Sequence, residues 1–417
     1  MKRSIKLLVS LLLCCALPAV SAISQTVNIG LNYPQTGPYS IEGLDQFRAA
    51  TLATEEINSK GGILGRKIRL ITTDSKSRVD ETRRNVTDLF NEGALMVFGG
   101  SSSAVAIEAG RIAKQRKKLF FGTLTYSTAT TGKHGHRYVF RECYDAWMGA
   151  KAIAAHLNKR FSGKKYFYIT ANYTWGFTTE ASVRALTNTI DEDIHKVTKT
   201  PFPGAKETDF RKALSIASIE TPDVLVLVLF GKDMTTAIQI AKSMGLKERM
   251  QIVVPNLTLG MAEGGSAEVM EGVIGALPWT WKIPYLYNHT RGKRFVEDFA
   301  AKFDRYPSTS GASAYTILYE YKAAVERAGS FDTEAVIKVL EGHTYQLLKD
   351  KQTWRDFDHQ SIQTVFAVEL NPPSVVAKDK FKLDYFKILS SIPGQEAAIS
   401  KKRWTTFRRI MGRPSHL

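Results

Sequence analysis

Residues 94–127 read ALMVFGGSSSAVAIEAGRIAKQRKKLFFGTLTYS, and this stretch decides the fold. Ala94 to Phe98 is an apolar run of strand length. Gly99-Gly100 breaks it, and Ser101-Ser102-Ser103 opens a helix with residues suited to its N-terminus. Leu119 to Phe121 is a second apolar strand, followed by the hydroxyl-rich loop Thr123-Leu124-Thr125-Tyr126-Ser127. Strands without a polar face, joined by a helix, belong in a parallel sheet covered on both sides. Ligands of such sheets bind beyond the carboxyl ends of the strands. A helix N-terminus there offers free N–H groups and a positive partial charge. With serine hydroxyls added, the site suits a carboxylate or another polar anionic head rather than a long phosphate chain. Capping alone also accounts for Ser101 to Ser103, and the two roles are compatible.

The alternation extends in both directions. Val27, Ile29 and Leu31 alternate with polar residues as a strand does, and Leu44, Phe47, Ala50, Ala53 and Ile57 recur at helical spacing. Lys67 to Thr73 reads as a strand and Val79 to Phe90 as a helix. A second run places strands at Tyr166 to Thr170, Val197 to Thr200, Val224 to Phe230 and Ile252 to Val254. Helices fit between them at Phe177 to Thr189, Phe210 to Ile216 and Met234 to Met244. The runs part near Phe140 to Cys143, which predicts two α/β lobes. Strand ends in the second run also carry aromatic or amide residues: Asn172 to Gly176, Phe230 and Asn256. Two facing lobes lined this way make a cleft with an apolar body and a few polar handles. The last third is mostly helical, with helices at Gly292 to Phe303 and Ala312 to Ala328, a helix N-cap at Asp332, and a strand at Thr364 to Leu370. Trp404, Phe407 and Met411 lie at helical spacing in the basic tail, which allows a short amphipathic helix with a frayed terminus as the alternative, and its charge makes anionic lipid a candidate contact.

Composition narrows the function. The 417 residues are 44% hydrophobic and 23% charged, which excludes a disordered chain, a collagen-like fibre and a disulfide scaffold. Lys2, Arg3 and Lys6 precede the apolar Leu7 to Leu17 and the small residues Ala19 to Ala22, the pattern of a cleaved secretory signal, with an uncleaved anchor as the alternative. Of the net charge of +17, three positives lie in the first 22 residues and six in the last 17. The rest are scattered, whereas a DNA binder gathers them on one recognition element, so no nucleic-acid partner is expected. Cleavage leaves one cysteine, Cys143, so stability rests on core burial and not on a disulfide. His134-Gly135-His136 is the one close histidine pair, and no metal site or cofactor is expected. No phosphate loop, nucleophile elbow or HExxH motif is present.

Several segments in this order and spacing carry a resemblance: Val27 to Gly62, Gly99 to Ser103, Thr123 to Gly132, Arg137 to Arg141, Asn172 to Gly176 and Asp358-His359-Gln360. Together they resemble the periplasmic leucine/isoleucine/valine-binding family, the type 1 solute-binding proteins of ABC importers, which includes amide and urea binders. The resemblance implies an α/β fold of two Rossmann-like lobes joined by three crossovers. It implies a signal peptide (1–22), lobe 1 (23–141), lobe 2 (142–276), a return to lobe 1 (277–356), a return to lobe 2 (357–400) and a basic tail (401–417). The crossovers fall near Arg141 to Cys143, Gly275 to Pro278 and Asp356 to Gln360.

Carried over position by position, Ser101, Ser102, Ser103, Thr125 and Ser127 hold the ligand's carboxylate and amine, and Tyr126 shares the last two places. Trp175 packs on the ligand, and Phe230 stands where the family has tyrosine. Asn256 stands where amino-acid binders place a glutamate against the ammonium. An amide cannot neutralise a buried cation, so a neutral amide or an acid without an amine is expected rather than a simple branched-chain amino acid. Arg141 pairs either with a ligand carboxylate or within the hinge. Tyr39 and Tyr173 join Tyr126, Trp175 and Phe230 as candidates for an aromatic pocket, or for core or rim. The implied function is non-enzymatic: a periplasmic, monomeric receptor that captures a small polar solute by lobe closure and hands it to an inner-membrane permease. A sensor of the same fold is the alternative.

Overall fold

A computed structural model describes residues 26–417. The expected signal peptide lies outside the described residues. Five parallel strands build the first sheet: β1 (Val27–Tyr33), β2 (Ile68–Asp74), β3 (Met96–Gly99), β4 (Leu119–Gly122) and β5 (Val139–Arg141), in the order β2-β1-β3-β4-β5. The two apolar strands of the deciding stretch are β3 and β4. Every residue in them is buried, and they pair from Met96 opposite Leu119 to Gly99 opposite Gly122. Because the strands are parallel neighbours, the serine loop and the Thr123–Ser127 loop leave the sheet side by side at one edge.

The second sheet holds β6 (Tyr166–Ala171), β7 (Val197–Thr200), β8 (Val224–Val228), β9 (Gln251–Val254) and β10 (Ile274–Leu277). A three-stranded patch follows: β11 (Thr344–Tyr345), β12 (Gln352–Trp354) and β13 (Ser361–Ile362). Then β14 (Val365–Leu370) and β15 (Phe386–Ile392) complete the second sheet, ordered β15-β14-β10-β9-β8-β6-β7. β8 reads VLVLV and is buried throughout, as a strand covered on both faces must be. β10–β14 and β14–β15 are antiparallel.

Each sheet has its own core. Ile29, Leu31, Phe98 and Phe121 pack with Phe295, Phe299, Tyr315 and Leu318. The helices Thr290–Phe303 and Thr309–Ala328 therefore cover the first sheet, although the chain reaches them from the second. Gly311 lets the helix Thr309–Ala328 lie close against the helix Ser40–Ser59: a Cβ there would stand 3.1 Å from the Asp45 carbonyl oxygen. The other core gathers the second sheet's strands with β14 and β15.

One expectation is corrected and one alternative is decided. Leu44 and Phe47 do not face the core. They lie on the exposed side of the helix Ser40–Ser59, which buries Ala49, Ala50, Leu52, Ala53 and Ile57 instead. Phe47 stacks on Tyr33 at 5.6 Å, which shields part of its ring at the surface. The tail takes the helical alternative. Lys401–Ile410 is a helix capped by Ser400, with Trp404 buried and its Nε1 donating to the Thr131 carbonyl at 3.0 Å. Arg408 is also buried and donates to the carbonyls of Gly132 (2.6 Å) and Gly135 (3.0 Å). Among the described residues no helix is long and apolar enough to cross a membrane.

Candidate functional site

The serine loop turns sharply out of β3. Gly99 and Gly100 have φ of 121° and 115°, which only glycine adopts easily. A Cβ on Gly99 would sit 2.4 Å from the Asn32 carbonyl oxygen. The hydroxyls beyond divide by role. Ser102 caps the helix Ser103–Arg116, its Oγ accepting from the Val105 N–H at 3.3 Å. Ser103 Oγ accepts from the Ser127 N–H at 3.0 Å and from the Thr125 hydroxyl at 3.3 Å. Thr125 also shares a hydrogen bond with Thr130 at 2.8 Å. Ser127 Oγ accepts from the Ala129 N–H at 3.1 Å and from the Thr178 hydroxyl of the other lobe at 3.0 Å. These four side chains build and brace the loop. Ser101 Oγ is buried and makes no hydrogen bond.

Aromatic rings from both lobes pack around Tyr126 of the second loop. Phe230 lies 5.1 Å from Tyr39, 5.8 Å from Tyr126 and 5.9 Å from Trp175, centroid to centroid. Tyr126 contacts Tyr144 at 5.1 Å. Tyr173 stacks on Phe202 at 4.1 Å, Phe202 on Tyr39 at 5.5 Å, and Tyr173 reaches Trp175 at 5.9 Å. The five aromatic residues singled out from sequence thus form one cluster, joined by Phe202 and Tyr144. Tyr39 and Tyr126 come from the first lobe and the others from the second, so the lobes are closed on each other.

Asn256 extends the cluster at its Tyr144 end. Its Nδ2 donates to the Tyr144 hydroxyl at 2.6 Å, and that hydroxyl donates to the Ala276 carbonyl at 3.1 Å. The other end of the amide, Oδ1, is buried without a partner, as is the Trp175 Nε1–H. An unpaired buried polar group costs about 1–3 kcal/mol. Three site residues carry such a group, two able to donate (Ser101, Trp175) and one acceptor (Asn256). An acceptor placed against Ser101 or Trp175, and an O–H or N–H placed against Asn256, would satisfy them.

Two acids stand near the cluster. Burial pushes Glu42 up to about 7, against the hydroxyls of Thr258 and Ser310, which hydrogen-bond its carboxylate. Thr258 belongs to the second lobe, so this contact also latches the closed cleft. Asp233, beyond Phe230, is pushed up to about 6 by burial. Arg141 takes neither acid as partner. Completely buried, it donates to Gln360 Oε1 at 2.5 Å, to Thr131 Oγ1 at 2.8 Å, to Asp145 at 3.2 Å and to the Ser127 carbonyl. Its guanidinium is fully engaged within the hinge and braces the Thr123–Ser127 loop.

The hinge itself was only partly visible in sequence. Gln360 Nε2 donates to the Cys143 carbonyl at 2.9 Å, and Gln363 Nε2 to the Glu142 carbonyl at 2.5 Å. Lys349 Nζ joins the carbonyls of Pro278 (2.6 Å) and Thr364 (2.8 Å). Burial lowers Lys349 to about 8. Three crossing segments are thereby tied side by side. Phe202, Tyr144, Glu42 and Thr258 escaped sequence reasoning because tertiary packing alone brings them to the cleft.

Comparison with known proteins agrees with this architecture. A family model described as periplasmic binding protein matches residues 26–379. The chain is 24% identical over 377 residues to the Leu/Ile/Val-binding protein homolog 4 of Brucella melitensis, covering 87% of this chain and 88% of that one. It is similar to the crystal structure of a periplasmic binding protein from Burkholderia mallei, with a TM-score of 0.82, 23% identity, and coverage of 91% and 98%. It is also similar to a solute-binding protein of an ABC transporter from Rhodopseudomonas palustris in complex with 3,4-dihydroxy benzoic acid. There the TM-score is 0.74 and the identity 18%, with coverage of 88% and 98%. With two closed α/β lobes, a three-segment hinge and a family match across most of its length, the chain belongs to the periplasmic binding protein family.

Proposed function

We propose that this chain is the solute receptor of an ABC importer and that its ligand is a small, flat acid or amide without a free ammonium. The observation that carries the ligand class is the set of unpaired groups: Ser101 Oγ, Trp175 Nε1–H and Asn256 Oδ1, beside a wall of aromatic rings. The two donors suit a carboxylate or carbonyl oxygen. The Asn256 acceptor suits an O–H or amide N–H. An ammonium would face an uncharged amide at Asn256, which leaves most of its desolvation cost uncompensated. The Rhodopseudomonas neighbour's hydroxylated aromatic acid has this chemistry.

The chain is exported by cleavage near residue 22, works as a periplasmic monomer, and presents its closed lobes to an inner-membrane permease. The lobes are residues 23–141 with 277–356, and 142–276 with 357–400. Capture is reversible and involves no covalent step. Specificity arises because a wrong solute leaves buried polar groups unpaired. A thermal-shift screen tests the reading, with branched-chain amino acids, short amides, urea, benzoate and 3,4-dihydroxybenzoate. A ligand at about a thousand times its Kd adds roughly 4 kcal/mol of stability. The reading requires stabilisation by acids or amides and none by leucine; the reverse pattern refutes the ligand class.

A further inference from the structure

The C-terminal helix Lys401–Ile410 is anchored on one side by Trp404 and Arg408 and open on the others. Residues 401–417 carry six cations and no acid. Arg408 is held inside, but Lys401, Lys402, Arg403, Arg409 and Arg413 are exposed. Among them stand exposed apolar side chains: Ile410 is 74% exposed, Met411 41% and Phe407 39%. Phe177, on a neighbouring helix of the second lobe, is 43% exposed and lies under the Lys199 ammonium at 5.3 Å.

Two cavities flank this helix, and they differ in kind. One, of about 440 Å³, is apolar, walled by Trp147, Phe177, Phe407 and Ile410, with Arg403 stacked on Trp147 at 3.8 Å. The other, of about 430 Å³, is cationic, walled by Lys114, Lys133 and Arg413 with His134 and His136. No acidic side chain lines either one. The positive charge is felt by the histidines: burial and then the Lys114 ammonium hold His136 down to about 4, and burial with Lys133 and Arg413 lowers His134. An apolar cleft beside a cationic one without acidic side chains, on a helix with a basic face, is the chemistry of an amphiphile with an anionic head. A second copy of this face would meet it with like charge, which disfavours self-association.

We propose that this face docks on an anionic lipid surface, with Phe407 and Ile410 entering the boundary between headgroups and acyl chains and with Arg409, Arg413 and Lys133 meeting lipid phosphates. The tail then keeps the receptor at the membrane, independently of which solute it carries.

Co-sedimentation of the purified protein with vesicles tests this. Vesicles of phosphatidylcholine alone are compared with vesicles containing one-third phosphatidylglycerol, at low and at raised salt. Binding is expected on the anionic vesicles only, and it weakens as salt screens the charges. Arg409→Gln with Arg413→Gln lowers the partition by about fivefold per charge removed. Phe407→Ser with Ile410→Ser lowers it as well, and both pairs leave the melting temperature unchanged, because Trp404 and Arg408 still anchor the helix. Equal binding to neutral vesicles overturns the proposal. So does no binding to anionic ones, unaltered binding by either variant pair, or dimerisation through this face without vesicles.

Discussion

The hydroxyls of Tyr39 and Tyr173 meet at 3.1 Å across the cleft, one tyrosine from each lobe, with Phe202 stacked against both rings. Closure is thereby registered by one hydrogen bond set in an aromatic surround. Tyr39→Phe and Tyr173→Phe each keep the rings and remove the bond. Each should weaken the closed state by about 1 kcal/mol, or about fivefold in apparent ligand affinity. Because both variants delete the same interaction, the double variant should be barely worse than either single one. Titration calorimetry of the four proteins checks this; additive losses would mean that the hydroxyls act separately.

Trp175 combines two features that a single substitution separates. Its ring touches Phe230 and Tyr173, and its Nε1–H has no partner in the protein. Trp175→Phe retains aromatic packing and loses the donor. Ligand affinity should fall by about 1.5–3 kcal/mol if the partner is a carboxylate, while thermal stability without ligand changes little. An affinity equal to that of the wild type would remove Trp175 from the set of ligand donors.

Stability should fall as pH rises from the carboxylate range to neutrality. Burial holds Glu42 and Glu320 at about 7, well above their unfolded value near 4.5. Around Glu42 the Asp45 carboxylate adds to the shift, whereas Thr258, Ser310 and Arg305 oppose it. Each folded carboxyl keeps a proton that the unfolded chain has released, so the contribution present below pH 4.5 is lost between 4.5 and 7. For the fully buried Glu42 the loss is on the order of 3 kcal/mol. Melting curves from pH 5 to 8 should show the decline, and Glu42→Gln and Glu320→Gln should each flatten it. A flat wild-type profile would contradict the assignment.

Arg141 should behave as a hinge residue. Arg141→Gln leaves Asp145 buried without its cation and frees the Ser127 carbonyl and Thr131 Oγ1. Breaking a buried pair from one side costs about 3–5 kcal/mol. Urea denaturation should show that loss without ligand present. A ligand-binding defect with unchanged stability would instead place Arg141 in the site.

Much of the fold was legible because its strands are apolar runs: β3, β4, β6 and β8 lie within about two residues of where the pattern puts them. The failures have physical causes. β10 is four residues, IGAL, and β15 reads FKILSSI, with too few apolar positions to stand out. In the tail, spacing marked Trp404, Phe407 and Met411 as one face. Only Trp404 is buried, because its partner is a carbonyl 273 residues away. At the site, residue type indicated the hydroxyl loops and the aromatic residues. It did not separate Ser101 from Ser102 and Ser103, since capping and bracing depend on Val105, Thr125 and Ser127. Phe202 and Tyr144 joined the cluster through tertiary packing that no local pattern announces.

The most direct test is a paired calorimetric titration of the wild-type protein and Asn256→Asp with 3,4-dihydroxybenzoate and with leucine. The wild type should bind the aromatic acid and ignore leucine. A carboxylate at position 256 should abolish acid binding by charge repulsion and supply the anion that an ammonium needs. Tight leucine binding by the wild type, unaffected by Asn256→Asp, would contradict the ligand class.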